Sequence, residues 1–475
     1  MSENLKVKKY ERRITPLERM FTRSPYPIVT VVARITGNVS ESMLMNAVSK
    51  VQQRHPNLRV RIREDDDHVP WFTSEGAKEI PVDIIPRESD DHWIKVSLEA
   101  SQIPFEFHER PAIRFILVQS PIISELIILC HHIICDGMSL AYLARDLMLH
   151  LGDPTREVEV LPDPVPIDRD NIPKEVSLNA VVRFLINRIN RKWEKDKIFF
   201  DQEDYRNLNE AYWMSYKHQM LSVELSEAQT FALVERCRKE RVTVTSALTT
   251  AFVGAQYIVQ GDKPYHSSIA VAGSLRDRLP RPAGEVMGFY AGVVTLEYKY
   301  DQGMSFWENA RRFHRQVQPL YTNKNLFRDA LLCYYREPAI LESSDFKILG
   351  GLVPADSTRY QKISAFSKRD DVVSSLLKRR KMDSLDEVIM GTAVTNLTRL
   401  DFPRQYGALE LDRLMMNPGG AFPLAKINLV LGAGTCAGKL SLVVEHAEET
   451  IDTRTMENVK DKAMKFLLNE SGARR

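Results

Sequence analysis

Two adjacent histidines, His131 and His132, end an apolar run, Glu125-Leu126-Ile127-Ile128-Leu129-Cys130, and are followed by Ile133-Ile134-Cys135-Asp136-Gly137. Imidazole has an ordinary pKa of about 6.5, which suits it to proton transfer near neutrality. Three chemistries are open to this stretch. The first is metal ligation. Adjacent residues on a strand point to opposite faces, so one ion is not easily shared, and no further His/Asp/Glu cluster at ligand spacing supports a site. The second is a histidine hydrogen-bonded in the core, the preferred reading for a lone one at a strand end. The third is general-base catalysis. One ring faces a cavity while the other packs, Asp136 fixes the turn, and Gly137 lets the chain bend sharply.

A strand, a polar turn and a helix must position these groups. The run 125–131 reads as a strand, adjacent to a second at 113–118 and joined to it through Ser120-Pro121. From Gly137 to Leu151, the residues Leu140, Leu143, Ala144, Leu147 and Leu151 share one helical face. Upstream, 26–36 is rich in β-branched residues and reads as a strand, and Ser40 caps a helix that Pro56 ends. The acidic run Glu64-Asp65-Asp66-Asp67 reads as a solvated hairpin turn, because consecutive carboxylates fan outward and cannot converge on a metal.

The chain has 475 residues, 44% of them hydrophobic, which is too long for one core and predicts two or three domains. With 65 Lys+Arg against 63 Asp+Glu, the charge balance makes no general case for nucleic acid as a partner. The five cysteines are scattered without a CxxC pair, so neither zinc nor a disulfide framework is indicated. No uninterrupted apolar run approaches roughly 18 residues, so no membrane span is expected. The first residues, Met1 to Lys6, lack the apolar core of a signal peptide. A cytoplasmic monomer is the expectation.

The segment 153–175, rich in proline and acid, reads as a linker. The expected division is an N-terminal unit over 1–160, a crossover over 161–211 and a C-terminal unit over 212–475. A basic amphipathic stretch spans Val181 to Lys197 and a second runs from Lys368 to Lys381. A solvated helix face is the preferred reading of the first, and a patch for an acidic partner or a phosphate-bearing cofactor is the sharper one. The second half reads as mixed α/β. It has a strand at 220–225, helices at 226–240 and 246–259, strands at 267–272 and 293–298, and a β-rich end closed by a helix over 453–468. Gly432-Ala433-Gly434-Thr435-Cys436-Ala437-Gly438-Lys439-Leu440 resembles a phosphate loop only superficially. Ala433 and Leu440 break that pattern, and an alternating strand follows instead of a helix. A Gly-rich hairpin turn is expected.

His131-His132-x-x-x-Asp136-Gly137 resembles the signature of the condensation-domain and chloramphenicol-acetyltransferase-like superfamily of thioester-dependent acyltransferases. Companion segments follow in order. They are Thr15-Pro16-Leu17-Glu18; Pro104-Phe105 with Arg110-Pro111-Ala112-Ile113-Arg114; Leu275-Arg276-Asp277-Arg278 with Met287-Gly288-Phe289-Tyr290; and Thr395-Asn396-Leu397 with Tyr406-Gly407. The flavour is that of free-standing alcohol acyltransferases and of polyketide-associated acyltransferases that esterify lipid alcohols. An Asp-Phe-Gly-Trp-Gly motif, common in plant acyltransferases and many peptide-synthetase condensation domains, is not found, which argues against the plant group.

The resemblance implies two similar α/β subdomains in a V, with a central tunnel and His132 midway along it. It assigns the catalytic motif positions to His132, the general base, and Asp136, with His131, Gly137 and Arg276 supporting the site. Arg276, rather than Arg278, is expected to pair with Asp136 from the other half. Asn396 and Tyr290 are expected on the tunnel wall. No metal or covalent cofactor is implied; acyl-CoA or a phosphopantetheinyl carrier protein is the co-substrate. A hydroxyl acceptor gives an ester. The alternatives are an amine acceptor giving an amide, an acyl-cysteine route through Cys130 or Cys135, and a non-catalytic relative that only docks a carrier protein.

Overall fold

The computed structural model describes residues 9–420 and 422–468; the Met1–Lys6 stretch lies outside them. Two six-stranded mixed sheets dominate the described residues. The first runs Gln405–Tyr406, Leu409–Asn417, Ile28–Thr36, Ile123–His131, Ile113–Gln119, Val82–Pro86. The second runs Ala291–Glu297, Ser268–Ser274, Met390–Leu400, Ile427–Cys436, Lys439–Ala447, His218–Glu224.

The histidine strand is central in the first sheet. It pairs antiparallel with Ile28–Thr36 on one side and Ile113–Gln119 on the other, with Ile28 opposite His131. Every residue from Ser124 to His131 is buried, so both faces must be covered. The helices Gly137–Gly152 and His92–Gln102 pack against it, and Glu41–Arg54 packs on the first of these. This explains why 126–130 is a continuous apolar run and not an alternating one. The histidines stand where that strand runs out, at the sheet's end, with the next helix beginning five residues after His132.

The expected boundaries do not separate the sheets. Leu409–Asn417, well inside the stretch assigned to the C-terminal unit, crosses back and pairs antiparallel with Ile28–Thr36. The chain then returns to the second sheet at Ile427. Gly432 makes that crossing possible, because a Cβ there would overlap the Met416 carbonyl. The glycine-rich stretch is a hairpin between Ile427–Cys436 and Lys439–Ala447, turning through Ala437 and Gly438 at φ 49° and 78°. Its glycines serve backbone crossing and turning, not phosphate binding.

The 161–211 segment is also more structured than a linker. Val165, Ile167, Ile172 and Val176 are buried in the second core. The helices Ala180–Trp193 and Gln202–Ser215 then join Pro338–Leu349, Tyr360–Lys368 and Val372–Arg379 around Trp193, Tyr212 and the stacked rings of Phe200 and Phe346, 3.8 Å apart. The acidic run does form a hairpin turn. Arg61–Glu64 pairs with Pro70–Thr73, and Asp65 accepts from the Asp67 and Val69 amides and from the Trp71 indole.

Candidate active site

His132 lies half-buried past the end of its strand, and its amide donates to the Pro27 carbonyl at 2.8 Å. Its Nδ1 lies 3.1 Å from the Cys135 carbonyl. A carbonyl only accepts, so Nδ1 carries the proton and Nε2 keeps a lone pair. The ring sits among two others. Phe21 is 5.3 Å away, Phe289 is 5.1 Å away edge-on, and the two phenyl rings meet at 4.7 Å.

Phe21 is held by its neighbours. Thr15 and Glu18 form a capping box at the start of Pro16–Arg19. Arg19 then makes a two-pronged buried bridge to Glu342 at 2.6 and 3.1 Å, and Arg23 pairs with Glu64. Next along, the Ser24 carbonyl accepts from His131 Nε2 at 3.1 Å. His131 Nδ1 accepts from the Ile133 amide at 3.3 Å. Both nitrogens of His131 are thus committed, and Phe105 and Phe107 pack edge-on against its ring. Burial pushes its pKa down to about 3, so it stays neutral and structural.

Asp136 caps the helix Gly137–Gly152. The Ser139 amide and hydroxyl both donate to its Oδ1 at 2.7 Å. Arg276 Nη2 donates to the same oxygen at 2.7 Å, and the Tyr290 amide to Oδ2 at 3.1 Å. Both carboxylate oxygens are used in holding the turn to the second half of the chain. Arg276 is itself fixed by the Gly284 and Val286 carbonyls at 2.8 and 2.9 Å and stacks on Tyr290 at 4.9 Å. Arg278 points elsewhere, to Asn323. Gly137 opens the helix without positive φ, so sharp bending is not its role. A Cβ there would meet the Leu397 side chain at 2.9 Å, and glycine instead permits the close approach of the second sheet.

Asn396, one residue before Leu397, lines a cavity of about 920 Å³ together with Met138, Tyr142, Thr245 and Ser274. It donates to the Thr245 hydroxyl at 3.0 Å. Tyr290 is not on that wall. It is buried, and its hydroxyl donates to the Val165 carbonyl at 3.0 Å, so it packs behind the site. No group of three or more potential metal ligands occurs among the described residues. Cys130 and Cys135 are buried, and burial beside Cys130 pushes the Cys135 thiol well above its ordinary range, which disfavours a thiolate nucleophile.

Burial lowers the His132 pKa, while the Cys135 carbonyl, the Asp136 charge and the Pro418 carbonyl push it back up. The net shift is downward, so the neutral base persists below pH 6.5 and is lost only as pH falls through the lowered value. The acid limb of a kcat/KM profile is therefore expected below about 6.5, the ordinary imidazole value. A limb above that value, read by thiol release across pH, would contradict a desolvated His132 as base.

Residues 3–153 match the family model described as the condensation domain. A linear gramicidin synthase of Brevibacillus parabrevis is 23% identical over 336 residues, covering 68% of this chain and 6% of that protein. The peptide synthetase kk1B of Curvularia clavata is 21% identical over 339 residues, covering 66% and 2%. The chain thus spans a small fraction of the length of these relatives. Among solved structures, the trichothecene 15-O-acetyltransferase of Fusarium sporotrichioides superposes with a TM-score of 0.59 at 12% identity, over 97% of this chain and 95% of that one. The epimerization domain from the third module of tyrocidine synthetase B gives 0.58 at 12%, over 98% of both chains. The chain has the condensation-domain fold. The polyketide synthase associated protein 5 of Mycobacterium tuberculosis is a further likeness, with a TM-score of 0.57 at 14% identity over 97% and 98%.

Within the condensation-domain fold, the structure brings His131, His132, Asp136, Gly137 and Arg276 together. It also adds groups that sequence reasoning missed, Phe21, Ser139 and the Pro418 carbonyl, and places Phe289 of the Met287–Tyr290 segment against the His132 ring. Ser139 was findable, since it stands three residues after an N-cap aspartate. Phe21 lies 111 positions from His132 in the chain, and nothing local marks it.

Proposed function

We propose that this chain is an acyltransferase that moves an acyl group from a thioester to a hydroxyl. The observation that carries this reading is His132: Nδ1 is committed to the Cys135 carbonyl, which leaves the lone pair on Nε2, and the ring lies against Phe21 and Phe289. In the proposed step Nε2 takes the hydroxyl proton as the oxygen attacks the thioester carbonyl. The tetrahedral intermediate then collapses, the C–S bond breaks, and the departing thiolate recovers the proton from the imidazolium. An ester and a free thiol result. Asp136, Ser139 and Arg276 take no part in bond making; they hold the turn bearing His132 against the second sheet.

The polar cavity beside Met138 and Asn396 supports a donor arm rich in amides, such as the pantetheine shared by acyl-CoA and carrier-protein thioesters. A second reading, an amine acceptor giving an amide, is favoured by the peptide synthetases among the sequence relatives. Offering acyl-CoA and an acyl-carrier protein in turn, each with an alcohol or an amine acceptor, tests both by mass spectrometry. Ester with free thiol is the expected result. Amide alone would transfer the assignment to the second reading, and no turnover with any pair would leave a docking module as the better account.

A further inference from the structure

The helix Ala180–Trp193 is anchored on one side only. Ile186 and Trp193 are buried, while Val181, Phe184 and Leu185 on the outer arc are 67%, 64% and 48% exposed. Residues at spacings of three and four share a face, so these three side chains form one apolar strip. Further along the same arc the strip turns basic, through Arg188, Arg191 and Lys192, with Lys195 just beyond. Arg379 comes alongside from the helix Val372–Arg379, lining the same surface hollow of about 540 Å³ with Arg188, Lys192 and Lys195. Arg380 and Lys381 extend the patch and are exposed.

The charges of this patch are unbalanced. None of these cations makes an ion pair with a carboxylate among the described residues, although ion pairs are abundant elsewhere in the chain, as with Arg19, Arg145 and Arg276. The nearby acids are committed: Glu194 to Lys197 at 3.4 Å, Asp370 to Lys378 at 3.7 Å, and Asp371 to Lys347 and Arg369 at 3.1 Å each. Of the acids lining the hollow, Asp196 makes no ion pair among the described residues.

We infer that this face docks on an anionic membrane surface, with Phe184, Val181 and Leu185 entering the headgroup boundary and the cations meeting lipid phosphates. An amphipathic helix with a large apolar side chain and unpaired arginines and lysines on its exposed face binds in this way. The long basic side chains pair with no carboxylate among the described residues and can reach sideways to phosphates while their stems lie on apolar surface. A protein partner would need a groove shaped to Phe184, whereas a membrane needs only a plane, which the strip and the adjoining cations provide. The inference is independent of the chemistry assigned to His132.

The test is co-sedimentation of the full chain with phosphatidylcholine vesicles, with and without phosphatidylglycerol. Binding is expected on the anionic vesicles, weakening with salt. The variant Arg188→Glu/Lys192→Glu is expected to bind roughly tenfold or more weakly, since each cation near the surface contributes about 1 kcal/mol. Phe184→Ser is expected to bind more weakly as well. All of these side chains are exposed, so the variants should keep the wild-type melting curve, which is measured in parallel. The inference is overturned by absence of binding to anionic vesicles, by equal binding to neutral ones, or by unchanged binding of the charge-reversed variant.

Discussion

His132→Ala is expected to reduce acyl transfer by roughly 10²–10⁴-fold, the usual contribution of a positioned general base, and to leave the fold intact. The side chain is held only by backbone carbonyls among the described residues, Cys135 at 3.1 Å with Pro418 nearby, and is only half-buried. The strand end does not depend on it. The His132 amide is held by Pro27, and His131 supplies the buried hydrogen bonds to Ser24 and Ile133. The comparison is thiol release against the melting curve of the same preparation. A variant with wild-type turnover would remove His132 from the chemistry. An unfolded variant would mean that the ring is structural.

Asp136→Ala should fail in the opposite way. It removes a buried carboxylate that accepts from Ser139, Arg276 and the Tyr290 amide. Arg276 would be left buried and uncompensated, a loss expected to cost about 3–5 kcal/mol. The helix would also lose its cap, worth about 1 kcal/mol. The double variant Asp136→Ala/Arg276→Met should then be less destabilised than the sum of the two single variants, because the pair is coupled. Denaturant unfolding of the three variants measures this. An Asp136→Ala protein as stable as the wild type, merely slow, would mean that the carboxylate acts on the reaction and not on the turn.

The parts of this site that could be read from the sequence are those in which local chemistry and geometry coincide. The run 125–131 reads as a strand from its apolar residues alone. Asp136 had to end a turn, and alternation along a strand was enough to disfavour a shared metal. The choice of Arg276 came from the family resemblance, since its 2.7 Å contact with Asp136 spans 140 residues and leaves no local mark. Non-local geometry explains the errors. Leu409–Asn417 follows strands of the second sheet and carries no sign that it pairs with Ile28–Thr36. Tyr290 was expected on a tunnel wall, but its amide joins the two halves through Asp136 and its hydroxyl is held by the Val165 carbonyl within the second core. Gly137 was assigned to a bend, and its function depends on Leu397, 260 positions away. The helix Gln202–Ser215, passed over as crossover, did carry a signal: Asp201 and Asp204 form a capping box.

The central claim is that the Nε2 lone pair of His132 activates an acceptor against a thioester. Its most direct test is a time course of free thiol released from an acyl thioester with and without an alcohol, with the ester counted in the same samples by mass spectrometry. Acceptor-dependent thiol release matched one-to-one by ester is the predicted result. Thiol release that ignores the acceptor and yields only free acid, or no release at all, would contradict it.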